Sequence, residues 1–309
     1  ANQVQRDKEN KSPEIQNDGT MFSYSPFERY RCCQHNVAHG WPYYAEELWL
    51  ATADRGLCAS LYAASEVSAK VGSGVSVKIA EETDYPFGDT ITLKLSTAQP
   101  VKFPLYLRIP RWCADASARV NGKSVRFASK PLSYVVLERE WKDGDTVSLR
   151  LPMHVSVQKW EKNHDAVSVN YGPLTFSLKI GERWRRCGGT DAWPECEVFP
   201  TTPWNYGLVL NEKKPAKSFK VVKAGGGAMP SQPFTPATAP IEIRVEAKRI
   251  PAWKQDSLGL VGKLQPSPVK SDQPVETVTL IPMGAARLRI SAFPVISQGK
   301  DAREWEAGK

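Results

Sequence analysis

The stretch Lys102-Phe-Pro-Leu-Tyr-Leu-Arg-Ile109 decides the fold. Phe103, Leu105, Leu107 and Ile109 alternate with Lys102, Tyr106 and Arg108, the period-2 pattern of a strand with one face in a core and one in water. Just downstream, Arg119-Val-Asn-Gly-Lys-Ser-Val125 sets Asn121-Gly122 between strand-like flanks. Asn-Gly supplies the two positive φ angles that a tight hairpin needs. Trp141-Lys-Asp-Gly-Asp-Thr-Val147 repeats the signal with Asp143-Gly144 and predicts a second hairpin. Short β-branched runs at 57–63, 75–79, 90–95, 147–151, 155–157, 166–169 and 174–180 surround these motifs. Residues 66–180 therefore read as an antiparallel β-sandwich.

On either side the grammar differs. Residues 1–20 show no apolar period and read as loop. From 36 to 53, Val37, Trp41, Tyr44 and Leu48 fall at helical spacing. Gly40 and Pro42 interrupt that spacing, which predicts a short first turn and a helix restarting near Trp41. Arg55-Gly56 ends it. A lone helix beside a sandwich cannot bury Trp41, Tyr44, Leu48 and Trp49, so this stripe asks for helical neighbours. Residues 1–65 thus form a terminal piece of a helical domain. Residues 181–309 form a second β-region, loop-rich from Trp184 to Tyr206. It has a flexible Gly225-Gly-Gly-Ala-Met-Pro230 link and strands at 241–247, 275–282 and 287–293. Gly225-Gly-Gly lacks the Lys-Ser/Thr ending of a phosphate loop.

Length and composition narrow the function classes. The 309 residues are 41% apolar and 24% charged, enough for two domains with their own cores. No run of eighteen apolar residues occurs, so no membrane span is expected. Residues 1–17 lack the apolar stretch of a secretory signal. The formal charge is +8, but the basic residues are scattered rather than set in a stripe, which argues for solvated surface over a nucleic-acid face. Six cysteines are irregularly spaced; Cys187 and Cys196, flanking a Gly-Gly loop, are the pair able to bridge locally. His154 and His164 stand in strand-type segments and read as structural or surface residues.

The chemistry-bearing string is Ser25-Pro-Phe-Glu-Arg-Tyr-Arg-Cys-Cys-Gln-His-Asn36. Cys32 and Cys33 directly precede a helix start, where unpaired N–H groups, the helix dipole, Arg29 and Arg31 all favour a thiolate. Three readings fit that spacing: two buried thiols under a helix cap, a metal–thiolate site, or a redox pair. Vicinal disulfide bonding is strained, which weighs against the last. For a metal site, His35 and His39 stand at i,i+4 spacing, compatible with a local Cys-Cys-His-His set.

A series of segments in order resembles glycoside hydrolase family 127. They are Tyr30-Arg-Cys-Cys-Gln-His-Asn36, Glu46-Glu-Leu-Trp-Leu-Ala-Thr52, Gly56-Leu-Cys-Ala-Ser-Leu-Tyr62, Thr83-Asp-Tyr-Pro-Phe87, Leu107-Arg-Ile-Pro-Arg-Trp-Cys113 and Val120-Asn-Gly122. Further on come Glu138-Arg-Glu-Trp-Lys-Asp-Gly-Asp145, Tyr171-Gly-Pro-Leu174, Thr279-Leu-Ile-Pro-Met-Gly284 and Leu288-Arg-Ile-Ser-Ala-Phe-Pro294. The resemblance implies a mainly β chain of antiparallel β-sandwich domains, preceded by the last helix or helices of a six-hairpin (α/α) toroid. It implies a bacterial retaining β-L-arabinofuranosidase, periplasmic or cytoplasmic, with Zn bound by Cys32 and Cys33 and Cys32 as nucleophile. The family's other zinc ligands and its general-acid glutamate precede the pair by many residues. None of the first 31 residues matches them; Glu28 reads as a surface or structural carboxylate. This chain is therefore expected to be an incomplete fragment, inactive alone, whose partners are the missing helical domain and an oligosaccharide or glycoside substrate.

The chain departs from the family pattern at Gln34, His35 and His39 and in Gly40-Trp-Pro-Tyr-Tyr44. Its sugar then need not be β-L-arabinofuranose; another branched or acidic pectin sugar fits as well. Trp193-Pro-Glu-Cys196 and Pro203-Trp-Asn-Tyr-Gly207 supply candidate sugar-stacking rings, Trp204 and Tyr206 foremost, unless they fill a sandwich edge. A reading of a different class is a non-catalytic carbohydrate-binding β-sandwich module in which Cys33, His35 and His39 hold a structural metal.

Overall fold

Alternation and turn chemistry produce the strands. The computed structural model describes residues 32–192, 194–223, 229–255 and 261–306, with the side chains at 32–35, 37 and 195 excepted. They divide into two units, one of residues 32–154 and one beginning at Val155.

The first unit opens with helix α1 (Cys32–Glu46). Ten strands follow: β1 (Trp49–Ala51), β2 (Leu57–Ala59), β3 (Ser65–Val71), β4 (Val75–Thr83), β5 (Thr90–Thr97), β6 (Val101–Ile109), β7 (Ser117–Val120), β8 (Lys123–Val125), β9 (Ser133–Trp141) and β10 (Thr146–Arg150). One sheet has the order β1-β2-β6-β9 and the other β3-β4-β5-β10-β7-β8. All neighbours are antiparallel except β2 and β6, which run parallel. Inward residues of both sheets form one core, with Phe103, Leu105, Leu107 and Ile109 of the opening stretch almost fully buried. Trp141 is at its centre, its Nε1–H donating to the Phe103 carbonyl at 3.0 Å.

That bond yields a stability prediction. Trp141→Phe keeps an aromatic ring but removes the donor and leaves a void. Losing a buried hydrogen bond plus part of a ring is expected to cost about 2 kcal/mol. For a unit of this size that lowers the melting temperature by roughly 6–8 °C. An unchanged melt would show that the Trp141 indole carries no such weight.

The Asn121-Gly122 hairpin forms between β7 and β8 with φ of 50° and 75°. Asp143-Gly144 does not make a hairpin. β9 and β10 belong to different sheets, so this turn carries the chain across the sandwich. Its Gly144 and Asp145 backbones bond instead to Leu95 of β5. The two turns lock together: Asn121 Nδ2 donates to Asp145 Oδ1 at 2.7 Å, and the Thr146 N–H donates to Asn121 Oδ1 at 2.8 Å. Burial pushes the Asp145 carboxyl up, but Asn121, the Lys142 N–H and the charge of Arg139 outweigh it and hold the carboxyl below its ordinary range.

Helix α1 also differs from expectation. It starts at Cys32 and runs through Gly40 and Pro42 to Glu46. Pro42 removes one helical N–H; the residues around it are exposed, so water can satisfy the abandoned carbonyl. Trp49 leaves the helix pattern because Leu48 is buried and Trp49 packs on the sandwich core. Strand β1 then pairs with β2 through a turn in which Arg55 has φ 61°.

The second unit contains β11 (Val155–Trp160), β12 (Ala166–Tyr171), β13 (Leu174–Leu178), β14 (Glu182–Gly189), β15 (Pro194–Pro200), β16 (Tyr206–Val209), β17 (Phe219–Lys223), β18 (Ile241–Arg249), β19 (Val275–Pro282) and β20 (Val295–Ile296). Its large sheet has the order β11-β12-β13-β19-β18-β16-β20, with β17 also on β18. Residues 155–180 pair here, through β13 and β19, so the division falls at 154 and not near 180. Ile241, Ile243, Val245 and Ala247 bury one face of β18. The stretch 184–206, expected as loop, holds most of the antiparallel ribbon β14–β15, with a register shift between Arg186 and Gly188. Cys196 pairs in register with Arg186, and Cys187 stands at the shift. Residues 287–293, expected as a strand, make one backbone bond at Ile290 to β13 and a reciprocal pair at Phe293 with Val167 of β12 instead of a ladder. The expected link at 225–230 and the loop at 1–20 lie wholly or mostly outside the described residues.

Candidate functional site

The vicinal cysteines open α1, inside the helix rather than before it. A 15-residue helix leaves its first four N–H groups without internal acceptors, and both cysteines fall in that first turn, where a thiolate is favoured. Their side chains lie outside the described residues, as do Glu28 and the side chain of His35. The unbroken helix puts His35 and His39 on one face, and His39 is exposed. Trp41 and Tyr43 are strongly exposed, at 66% and 69%, with the Trp41 and Tyr44 rings edge to face at 6.1 Å.

Zinc suits these donors. Thiolates are soft ligands for it, and a closed site takes about four. Among the described residues no group of three or more His, Cys, Asp or Glu could hold a metal ion. Two adjacent cysteines could supply at most part of such a ligand set.

A second feature of this unit escaped the sequence reading. Glu81 points into the core at the end of β4, only 2% exposed. It accepts the Ala63 N–H at 3.1 Å on Oε1 and the Ser65 hydroxyl at 3.5 Å on Oε2. Ser65 in turn accepts from Trp49 Nε1 at 3.1 Å. Burial without a cationic partner raises the Glu81 carboxyl to about 8. The signal was present: Val77, Ile79 and Glu81 continue one inward alternation.

In the second unit, Tyr206 is buried. Its hydroxyl donates to Glu276 Oε2 at 2.9 Å, and Arg249 Nε lies 3.1 Å from Glu276 Oε1. Burial raises the Tyr206 hydroxyl above its ordinary range. These three residues line a cleft of about 540 Å³. Trp204 is half-buried, edge to face with Trp253 at 5.3 Å. Both rings named as stacking candidates are thus engaged inward, whereas Trp193 lies outside the described residues. His154 is exposed beside Asp115 at 3.2 Å, and His164 takes a left-handed φ of 56° after a short 3-10 turn.

These features define a two-unit, mainly β protein whose helix opens on a vicinal cysteine pair. Residues 56–153 match the family described as Beta-L-arabinofuranosidase, GH127 middle domain. Among solved structures it is similar to Ara127N-Se, a GH127 β-L-arabinofuranosidase from Geobacillus stearothermophilus T6, at 23% identity and TM-score 0.60. That match covers 93% of this chain and 41% of the other. It is similar to the GH127 β-arabinofuranosidase BT3674 at 20% identity and TM-score 0.62, covering 91% and 41%. A structure described as a glycoside hydrolase matches at 20% identity and TM-score 0.50, covering 80% and 37%. No curated protein matches the chain. The chain spans about two fifths of the length of the solved structures it matches.

Proposed function

We propose that this chain belongs to a retaining glycoside hydrolase that cleaves β-L-arabinofuranosides or a related plant-polysaccharide sugar, with Cys32 as nucleophile. The observation that carries the reading is one of order: the cysteine pair opens α1 immediately ahead of a GH127 middle domain at 56–153. Similarity to solved arabinofuranosidases across both units supports it. The Cys32 thiolate attacks the anomeric carbon and the glycosidic C–O bond breaks. The departing alcohol takes a proton from an acid contributed by residues other than those described. Water then displaces the Cys32 sulfur, and two inversions leave the configuration retained. Cys32 and Cys33 would supply two thiolate ligands to zinc. Bound zinc would keep the Cys32 thiol ionised at neutral pH and fix its direction. The (α/α) toroid preceding α1 is part of the same proposal. Within it, Tyr206 positions Glu276.

Proton NMR of the reaction of p-nitrophenyl β-L-arabinofuranoside with the native polypeptide that contains these residues tests the reading. The β-anomer of arabinose should appear first and mutarotate later. First appearance of the α-anomer, or no release at all, would overturn it.

A further inference from the structure

The outer face of the second unit's large sheet carries an uncompensated charge pair. Lys220 of β17 stands directly opposite Arg244 of β18, and Arg244 opposite Thr279 of β19. Lys220 and Arg244 are exposed, on the face opposite half-buried Val221 and the core residues Ile243 and Val245. Like charges directly opposite one another on an antiparallel face are destabilising. Some exposed lysines elsewhere are answered by a carboxylate, Lys78 by Glu66 at 2.8 Å, Lys94 by Glu82 at 2.6 Å and Lys179 by Glu242 at 2.7 Å, whereas Lys70 and Lys123 have none among the described residues. Neither Lys220 nor Arg244 has a carboxylate within ion-pair distance among the described residues. They line a cleft of about 600 Å³ with Lys217, Glu246, Asn211 and Thr277. Three cations there face one carboxylate. The Thr277 hydroxyl and the Asn211 amide add neutral hydrogen-bonding groups beside them.

We propose that this cleft binds a carboxylate-bearing saccharide such as an oligogalacturonate. Lys220 and Arg244 hold the sugar carboxylate, and Thr277 and Asn211 hold ring hydroxyls. A guanidinium fork beside an ammonium matches a planar carboxylate, and open polar walls suit a hydroxyl-rich ring. The saccharide nature of the ligand rests on the glycosidase reading; the anion site rests on the register and the missing counter-charges. Such a site would hold an acidic polysaccharide on the β-unit without touching the chemistry at Cys32.

Calorimetric titration of the Cys32→Ala chain with trigalacturonate tests this, since no turnover contributes to the signal. Binding is expected at low salt, weakened about tenfold or more by Lys220→Ala/Arg244→Ala, and weakened by added salt. Neutral arabinotriose should not bind at this cleft. The double variant should melt no lower than the parent, because it removes a repulsion; Lys220→Gln/Arg244→Gln serves if the alanine pair does not fold. Absent trigalacturonate binding, or equal binding by the double variant, would overturn the proposal. So would inorganic phosphate or a single-stranded oligonucleotide binding as tightly, which would mark a general anion surface. Absence of arabinofuranoside hydrolysis by the unmutated native polypeptide, alongside intact Lys220/Arg244-dependent binding, would overturn the proposed function and leave this site standing.

Discussion

Cys32→Ala, introduced into the native polypeptide that contains these residues, is expected to lower kcat for a β-L-arabinofuranoside by about 10³-fold or more. The loss follows from the proposed two-step path, which assigns the covalent bond to Cys32. Cys33→Ala should instead lower zinc content and activity together, because the second thiolate only holds the metal. Neither change should unsettle the sandwich: alanine is the best helix former, and the described residues early in α1 are exposed. The readouts are initial rates, zinc by elemental analysis and the melting curve. Cys32→Ala retaining activity within about tenfold of the parent would remove Cys32 from the nucleophile role.

Glu81→Gln is expected to stabilise the first unit at alkaline pH and to be neutral in acid. An unfolded glutamate releases its proton near 4.5, whereas folded Glu81 holds its proton up to about 8. Between those values the unfolded state binds fewer protons, so stability falls as pH rises and then levels off above about 8. At 1.36 kcal/mol per pH unit the gap sets an upper bound of about 5 kcal/mol; relaxation and water entry bring it to about 2–4 kcal/mol. Glutamine keeps an acceptor for the Ala63 N–H and never ionises. The variant minus parent difference in melting temperature should thus be near zero at pH 4.5 and grow steadily to pH 8.5. A difference that does not change with pH would mean that Glu81 does not titrate in this window.

The strands were legible where one face alone was buried. The 102–109 stretch reads at a glance because its four apolar residues all enter one core. Which sheet a strand joins was not legible, since that depends on pairing partners far away in sequence. Strands 155–178 thus read as part of the first sandwich, although β13 pairs with β19. Asp143-Gly144 carries the local chemistry of a hairpin, yet the chain uses its tight turn to cross between sheets. Leu48 and Trp49 completed a helical period on paper but belong to the sandwich core, which outcompetes helix propensity.

The candidate site was legible in a different way. Cys32 and Cys33 stand out as neighbours in the sequence, and the ordered motifs around and after them resemble one family. Lys220 and Arg244 are 24 positions apart and become neighbours only through the register of β17 on β18. No local pattern marks either residue. Tyr206 was visible as an aromatic but not as the partner of Glu276, 70 residues away.

The central claim is that Cys32 forms the covalent bond to the sugar. Acid quenching during turnover of β-L-arabinofuranoside, followed by proteolysis and mass spectrometry, tests it most directly. A pentosyl adduct on the Cys32 sulfur, lost on incubation at neutral pH, is the result predicted. An adduct on a carboxylate side chain would contradict the account.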